Sequence, residues 1–156
     1  MSDLMPGHAI VSRRVSQPGT SSPTATTQFA AVGAQTEHDF GLFEYVLAGN
    51  SAGASPHYHK TFSETFYVLD GELEVLNGAE WLTAGPGDLV YVPRSSVHGF
   101  RNSAADEARF LIIFTPGNVP REEYFKENHA RRAAGVVLTD AERDEFARRF
   151  DQYNVR

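Results

Sequence analysis

The sequence predicts an all-β sandwich or barrel followed by two short helices. From Phe40 onward, short apolar runs are broken about every 8 to 12 residues by Gly, Pro, Asn or Asp, the spacing of strands and tight turns. Within those runs the side chains alternate between apolar and polar. Beyond residue 118 the period changes to that of helices.

The strands can be oriented by their charged residues. In "FGLFEYVL" (residues 40–47), an outward Glu44 turns Phe43, Tyr45 and Leu47 inward. In "ARFLIIF" (108–114), Arg109 does the same for Phe110, Ile112 and Phe114, and in "HGFRN" (98–102) Arg101 turns His98 and Phe100 inward. The run "ETFYVLDGELEVLN" (64–77) reads as a hairpin about Asp70-Gly71, a dipeptide suited to a type I′ turn, with Leu69 opposite Glu72. Glu72 and Glu74 then mark the wet face, and Glu64, Phe66, Val68, Leu73 and Val75 face inward.

The C-terminal stretch "VPREEYFKENHARRAAG" (119–135) has Pro120 near its start, acids in its first turn, arginines late and Gly135 as a stop. "TDAER" (139–143) supplies a Thr139 to Glu142 capping box for a second helix ending near Phe150. Both helices are expected to pack across the outside or one end of the barrel. At the other end, "SRRVSQPGTSSPTATTQ" (12–28) is rich in Ser, Thr and Pro and reads as an irregular lead-in. The expected organisation is an N-terminal arm over 1–35, the barrel over 36–117 and a helical extension of the same domain over 118–156.

Composition limits the chemistry. The 156 residues include no cysteine, so disulfides, thiolate catalysis and Cys-type metal sites are excluded, and a bound metal must rely on His, Asp, Glu or backbone oxygen. The formal charge of −6, without a long basic run, gives no footprint for nucleic acid. No stretch approaches the roughly 20 apolar residues of a membrane-spanning helix, and a cytoplasmic location is expected.

Four residues carry the chemical signal. His57 and His59 in "HYHKTFSE" (57–64) share one face of a strand, about 6.6 Å apart at Cα, close enough for both imidazoles to reach one ion. Glu64 follows after a turn and points among Phe66, Val68, Leu73 and Val75, where an ionised carboxylate is costly without a partner. His98, also inward, follows Pro93 and a polar turn. Three neutral imidazoles and one carboxylate suit one divalent Fe, Mn, Co, Ni, Cu or Zn ion and leave positions open for substrate. His8, His38 and His129 have no partners at ligand spacing and are expected at the surface. Arg94, in the turn before His98, can reach a substrate anion at a pocket mouth or stand as an ordinary exposed turn residue, the commoner case. Phe43, Tyr45, Phe66, Phe100, Phe110 and Phe114 can line an aromatic-substrate pocket or form plain core.

With these residues in hand, the sequence resembles the cupin superfamily. "HYHKTFSETFYVLDG" matches the family's first motif, and "GDLVYVPRSSVHGFRN" (87–102) matches its second, G-x5-P ending in H-x3-N. Two turn positions depart from the pattern: Ser95 stands two residues after Pro93 where the family has glycine, and Ser51 stands six before His57, with Gly49 and Gly53 nearby. The resemblance covers about residues 40 to 115. It implies a jelly-roll barrel, His57, His59, Glu64 and His98 as metal ligands, turns at Gly71 and Gly87, structural roles for Pro93 and Asn102, and a homodimer. Among small cupins the resemblance is to the group similar to quercetin dioxygenase. That implies a dioxygenase acting with O2 on a small enolisable or phenolic substrate, with Glu64 as ligand and general base. The same ligands also serve an oxygen-independent isomerase, cyclase or decarboxylase, or a small-molecule-binding cupin without turnover.

Overall fold

The computed structural model describes residues 9–156. Among the described residues twelve strands and two α-helices follow one another as β1 (Gly19–Ser21), β2 (Ala25–Ala31), β3 (Gly41–Leu47), β4 (Ser51–Ala52), β5 (His57–Tyr58), β6 (Ser63–Asp70), β7 (Leu73–Asn77), β8 (Glu80–Ala84), β9 (Leu89–Val92), β10 (His98–Asn102), β11 (Ala108–Thr115), α1 (Arg121–Ala133), α2 (Asp140–Arg148) and β12 (Tyr153–Asn154), with short 3-10 turns at Arg14–Ser16 and Gly33–Gln35. They build two antiparallel sheets. The first runs β1-β2-β3-β11-β6-β9, and the second β12-β5-β10-β7-β8 with β4 on β10, a double-sheet jelly roll.

The alternation read from the sequence is what fills the space between the sheets. Phe43, Tyr45, Leu47, Phe66, Val68, Phe110, Ile112 and Phe114 project from the first sheet, and Leu73, Val75 and Phe100 from the second, all buried. Aromatic rings join the layers edge to face, with Phe66 5.6 Å and Tyr45 5.6 Å from Phe100 between ring centroids, and Phe43 packs on Phe114 at 5.2 Å within the first sheet. Helix α1 belongs to this core, since its Phe125 sits 5.7 Å from Phe43 and 5.8 Å from Tyr45. The capping box on α2 forms as the sequence specifies. Glu142 N donates to Thr139 Oγ1 at 3.2 Å, and Thr139 N donates to Glu142 Oε2 at 2.8 Å.

Three expectations are corrected. The lead-in over residues 12–28 is irregular only in part: β1 and β2 extend the first sheet, β2 pairs with β3, and Ala25, Thr27, Phe29 and Ala31 are buried on its inner face. A Ser/Thr-rich composition reads as loop, but threonine is β-branched and fits a pleated surface. The barrel therefore begins well before residue 36.

Asp70-Gly71 does not close a hairpin. β6 pairs with β11 and β9, β7 pairs with β10 and β8, and the dipeptide carries the chain from one sheet to the other. Only Gly71 has positive φ, +74°, so the turn is not type I′. A Cβ on Gly71 would lie 2.4 Å from the Glu107 carbonyl oxygen. The inward faces survive because both strands bury the same residues whether side by side or in opposite layers. Finally, His38 is exposed, but His129 is 1% exposed, packed beside Tyr45 and Phe125 where α1 covers the core. His8 lies outside the described residues. No helix among the described residues is long and apolar enough to cross a membrane.

The departure at Ser95 has a conformational consequence. Ser95 takes φ +66°, the left-handed region a family glycine would occupy without strain, and its amide donates to the His59 carbonyl at 2.6 Å. Its side chain is exposed. Ser95→Gly is expected to raise stability by about 0.5–1 kcal/mol, whereas Phe110→Ala, which empties a fully buried core position, is expected to cost about 3–5 kcal/mol. Chemical denaturation of the two variants checks both, and a Ser95→Gly protein clearly weaker than the parent contradicts the first.

Candidate metal centre

His57, His59, Glu64 and His98 meet between the sheets. One donor atom from each lies within 4.8 Å of all the others, and the four residues are between 1% and 3% exposed. The arrangement follows from the register: His57 on β5 is directly opposite His98 on β10, while Glu64 on β6 comes from the facing sheet. His59 lies just past β5, and residues 60–62 carry the chain across to β6.

Each histidine is oriented by a main-chain oxygen. Nδ1 of His57 lies 2.7 Å from the Ser55 carbonyl, Nδ1 of His98 is 3.0 Å from the Ser96 carbonyl, and Nδ1 of His59 is 2.8 Å from the Asp151 carbonyl. A carbonyl only accepts, so each Nδ1 carries the hydrogen. The neutral ring then presents a bare Nε2 lone pair. The Nε2 atoms of His59 and His98 point at Glu64 Oε2 across 3.0 and 2.7 Å. Two lone pairs cannot face a carboxylate without a positive charge between them, so the pocket needs either protonated imidazolium or a cation. The donor set of three nitrogens and one oxygen fits a first-row transition ion.

The electrostatics point the same way. Burial pulls His57 well below the ordinary histidine value, helped by the other two rings, and burial also lowers His59 against the pull of Glu64. Burial depresses His98 too, but its hydrogen bond to Glu64, the charge of that carboxylate and the Ser96 carbonyl outweigh it, leaving His98 raised. Burial pushes Glu64 upward, yet its bonds to His59 and His98 hold it well below the usual carboxylate range, so it is ionised at neutral pH.

A cavity of about 500 Å³ opens beside these residues, with His57 and Glu64 in its wall. Of the six aromatic residues picked out in the sequence, Tyr45 and Phe100 line it. Phe43, Phe66, Phe110 and Phe114 belong to the core. Burial raises the Tyr45 hydroxyl to about 12, so this lining residue keeps its proton at neutral pH. Arg94 does not line the cavity. It is exposed, and its guanidinium donates to the carbonyls of Thr61 at 3.3 Å and Thr115 at 3.4 Å, which holds it on the loops outside.

The residues that sequence reasoning missed come from the C-terminal extension. Arg121, Tyr124 and Phe125 of α1 form much of the cavity wall, joined by Gln152. Asp151 clasps the loop behind His59. Its carboxylate accepts from the amides of Lys60 at 3.1 Å and Thr61 at 2.8 Å, and from Thr61 Oγ1 at 2.6 Å. No sequence signal announced this, because the partners are some 90 residues apart. Asp151→Ala is expected to loosen the His59 ring and lower divalent-cation affinity about 10–100-fold, read by competition with a chromogenic chelator, with the far-ultraviolet circular dichroism unchanged. Undiminished affinity would show that the clasp does not support the site.

Comparison with known proteins places this geometry in a family. Residues 43–114 match the model described as the Cupin domain. The chain is 38% identical over 61 residues to quercetin 2,3-dioxygenase of Bacillus subtilis, spanning 39% of this chain but only 18% of that protein. It is also 30% identical over 81 residues to an uncharacterized protein of Streptomyces coelicolor, covering 51% of this chain and 73% of the relative. Among solved structures, a predicted oxalate decarboxylase from Thermotoga maritima superposes with TM-score 0.62 at 16% identity, over 69% of this chain and 99% of the other, a likeness of fold. The alternating core, the two motifs and the paired jelly-roll sheets therefore have one origin: the chain belongs to the cupin family.

Proposed function

We propose that this cupin is a metal-dependent oxygenase of the dioxygenase type, acting on a small enolisable or phenolic substrate. The observation that carries the reading is the convergence of three imidazole nitrogens and one carboxylate at the wall of an aromatic-lined cavity. The partial identity to a quercetin dioxygenase supports it. In this reading His57, His59, Glu64 and His98 hold one divalent Fe, Ni, Mn, Co, Cu or Zn ion. Held there, such an ion would supply Lewis-acid stabilisation of an ionised substrate oxygen.

The protein's own groups do the rest. Glu64, ionised at neutral pH, accepts the substrate hydroxyl proton as the substrate enters. Its Oε2 already faces His59 and His98, which leaves Oε1 as the oxygen to receive it. Tyr45 donates to a substrate oxygen, and Phe100 and Phe125 exclude water and orient a flat ring.

Oxygen consumption by protein loaded separately with each of the six metals, over flavonols, catechols and diketones, tests the proposal. Uptake with at least one pairing is expected, and none with any pairing refutes it. Glu64→Gln is expected to lower turnover at least about 100-fold while retaining much of the metal. The second reading, an oxygen-independent isomerase, cyclase or decarboxylase, uses Glu64 as the same proton carrier, and undiminished anaerobic turnover would favour it. A cupin that only binds its small molecule would show neither.

Protons should compete with the metal. Each imidazole binds through a bare Nε2, and the raised His98 must lose a proton first. Metal affinity is therefore expected to fall steeply between about pH 8 and pH 5.5, seen as proton release in calorimetry. Flat affinity over that range would exclude histidine ligation. The expected homodimer belongs to this proposal as well. Tyr67, Leu69, Leu89 and Tyr91 stand exposed on the outer face of β6 and β9, an apolar surface suited to self-association. Light scattering behind size exclusion is expected to give twice the chain mass.

A further inference from the structure

Arg121, the first residue of α1, stands in the cavity wall beside Glu64 and is 3% exposed. It lies outside the residues matched to the cupin domain. Burying a guanidinium is costly unless an opposite charge or a full set of acceptors compensates it. Several surface arginines of this chain have such partners: Arg101 reaches Glu74 at 2.7 Å, and Arg109 and Arg14 reach Glu44 at 2.8 Å. Arg121 does not. Its Nη1 donates to the Phe150 carbonyl at 3.2 Å and its Nη2 to Gln152 Oε1 at 3.0 Å, both uncharged, and its Nε–H is buried without a partner.

The group is nevertheless held in place. The guanidinium carbon lies 4.1 Å from the centre of the Tyr124 ring, so one face is covered while two donors are tethered. A guanidinium has five N–H donors, and those that remain suit a planar acceptor with two oxygens. The cavity is cationic in a chain of net charge −6: Arg121, Arg132, Arg143 and Arg156 line it, against Glu64 as the carboxylate among its described lining residues. Arg143 and Arg156 are tied to Asp140 and Asp144, and an exposed Arg132 stays at the rim. The deep guanidinium is Arg121, which feels the charges of Glu64 and Asp151 but has no ion pair with a carboxylate among the described residues.

We propose that Arg121 is the anion-binding residue of the cavity, and that the ligand is a small organic acid whose carboxylate seats on this guanidinium while its enolisable or aromatic part lies towards Glu64 and the histidines. Tyr45, Phe100 and Phe125 give that part an apolar bed, and about 500 Å³ holds a single ring with short substituents. The role given by position to Arg94 on the loops thus passes to an arginine contributed by the C-terminal helix. This inference rests on the cavity being the substrate site of a metal enzyme, and it is tested by binding alone, so that the two can fail separately.

The test is calorimetric titration of zinc-loaded protein under nitrogen with benzoate and with its neutral isostere benzamide. Benzoate is expected to bind at least about tenfold more tightly, the value of a charge-assisted pair. Arg121→Gln is expected to remove that preference, weakening benzoate about tenfold or more and benzamide little, while Arg121→Lys keeps part of it. Equal affinity of the two probes, benzoate binding unchanged in R121Q, or equal loss of both probes overturns the assignment, the last by showing a structural role only. Should R121Q fail to fold, the side-chain Nε–H resonance of Arg121 in the parent protein, identified by its absence from R121K, decides: it must move with benzoate and stay with benzamide. Absence of oxygen uptake with every substrate would refute the oxygenase reading and leave this one standing.

Discussion

The structure turns on one buried carboxylate. Glu64 sits at 3% exposure on a strand whose neighbouring inward positions are Phe66 and Val68, beside Phe114 on β11. An ionised group there is tolerated only if positive charge is brought to it. The protein brings three imidazoles to it from and beside the opposite sheet, oriented so that their Nε2 atoms can hold a proton or a cation against the carboxylate. Ser55 and Ser96 each stand two residues before the histidine they orient, so His57 and His98 carry their own braces. His59 relies on Asp151, far along the chain. One of the three imidazoles is thus oriented by the C-terminal segment.

That segment is part of the site's construction. Helix α1 contributes Phe125 to the common core and Arg121 and Tyr124 to the cavity, while Gln152 receives the Arg121 guanidinium and Asp151 holds the loop after His59. β12 pairs with β5, the strand that carries His57, so residues 153–154 are hydrogen-bonded to that strand itself. The barrel supplies a general arrangement of donor atoms, and the extension decides the shape and charge of the space in front of them. Family membership accounts for the first.

Parity made most of the barrel legible in advance. A strand with one charged residue declares which of its faces is wet, and Glu44, Arg101 and Arg109 did so without any knowledge of their neighbours. Glu44 lies on the outer face bonded to Arg14 and Arg109, and Arg101 reaches Glu74 there. The capping box of α2 was equally readable, since its two bonds join residues three apart. β2 obeyed the same rule, with Ala25, Thr27, Phe29 and Ala31 inward, but its small and hydroxylated side chains concealed a strand behind the composition of a loop.

The sequence by itself determined which side chains face the core and which four residues have ligand chemistry, because side-chain alternation and motif spacing are local properties of the backbone. Only the tertiary structure decided which sheet each strand joins, that Asp70-Gly71 crosses between layers, that His129 and Arg121 are buried, and that Asp151 stands behind His59. Those outcomes depend on pairing between segments far apart in the chain, as Asp151 and His59 are at a separation of 92 residues and β12 and β5 are at more. No local periodicity encodes such a pairing, which is selected by how the whole set of inward faces closes on one core.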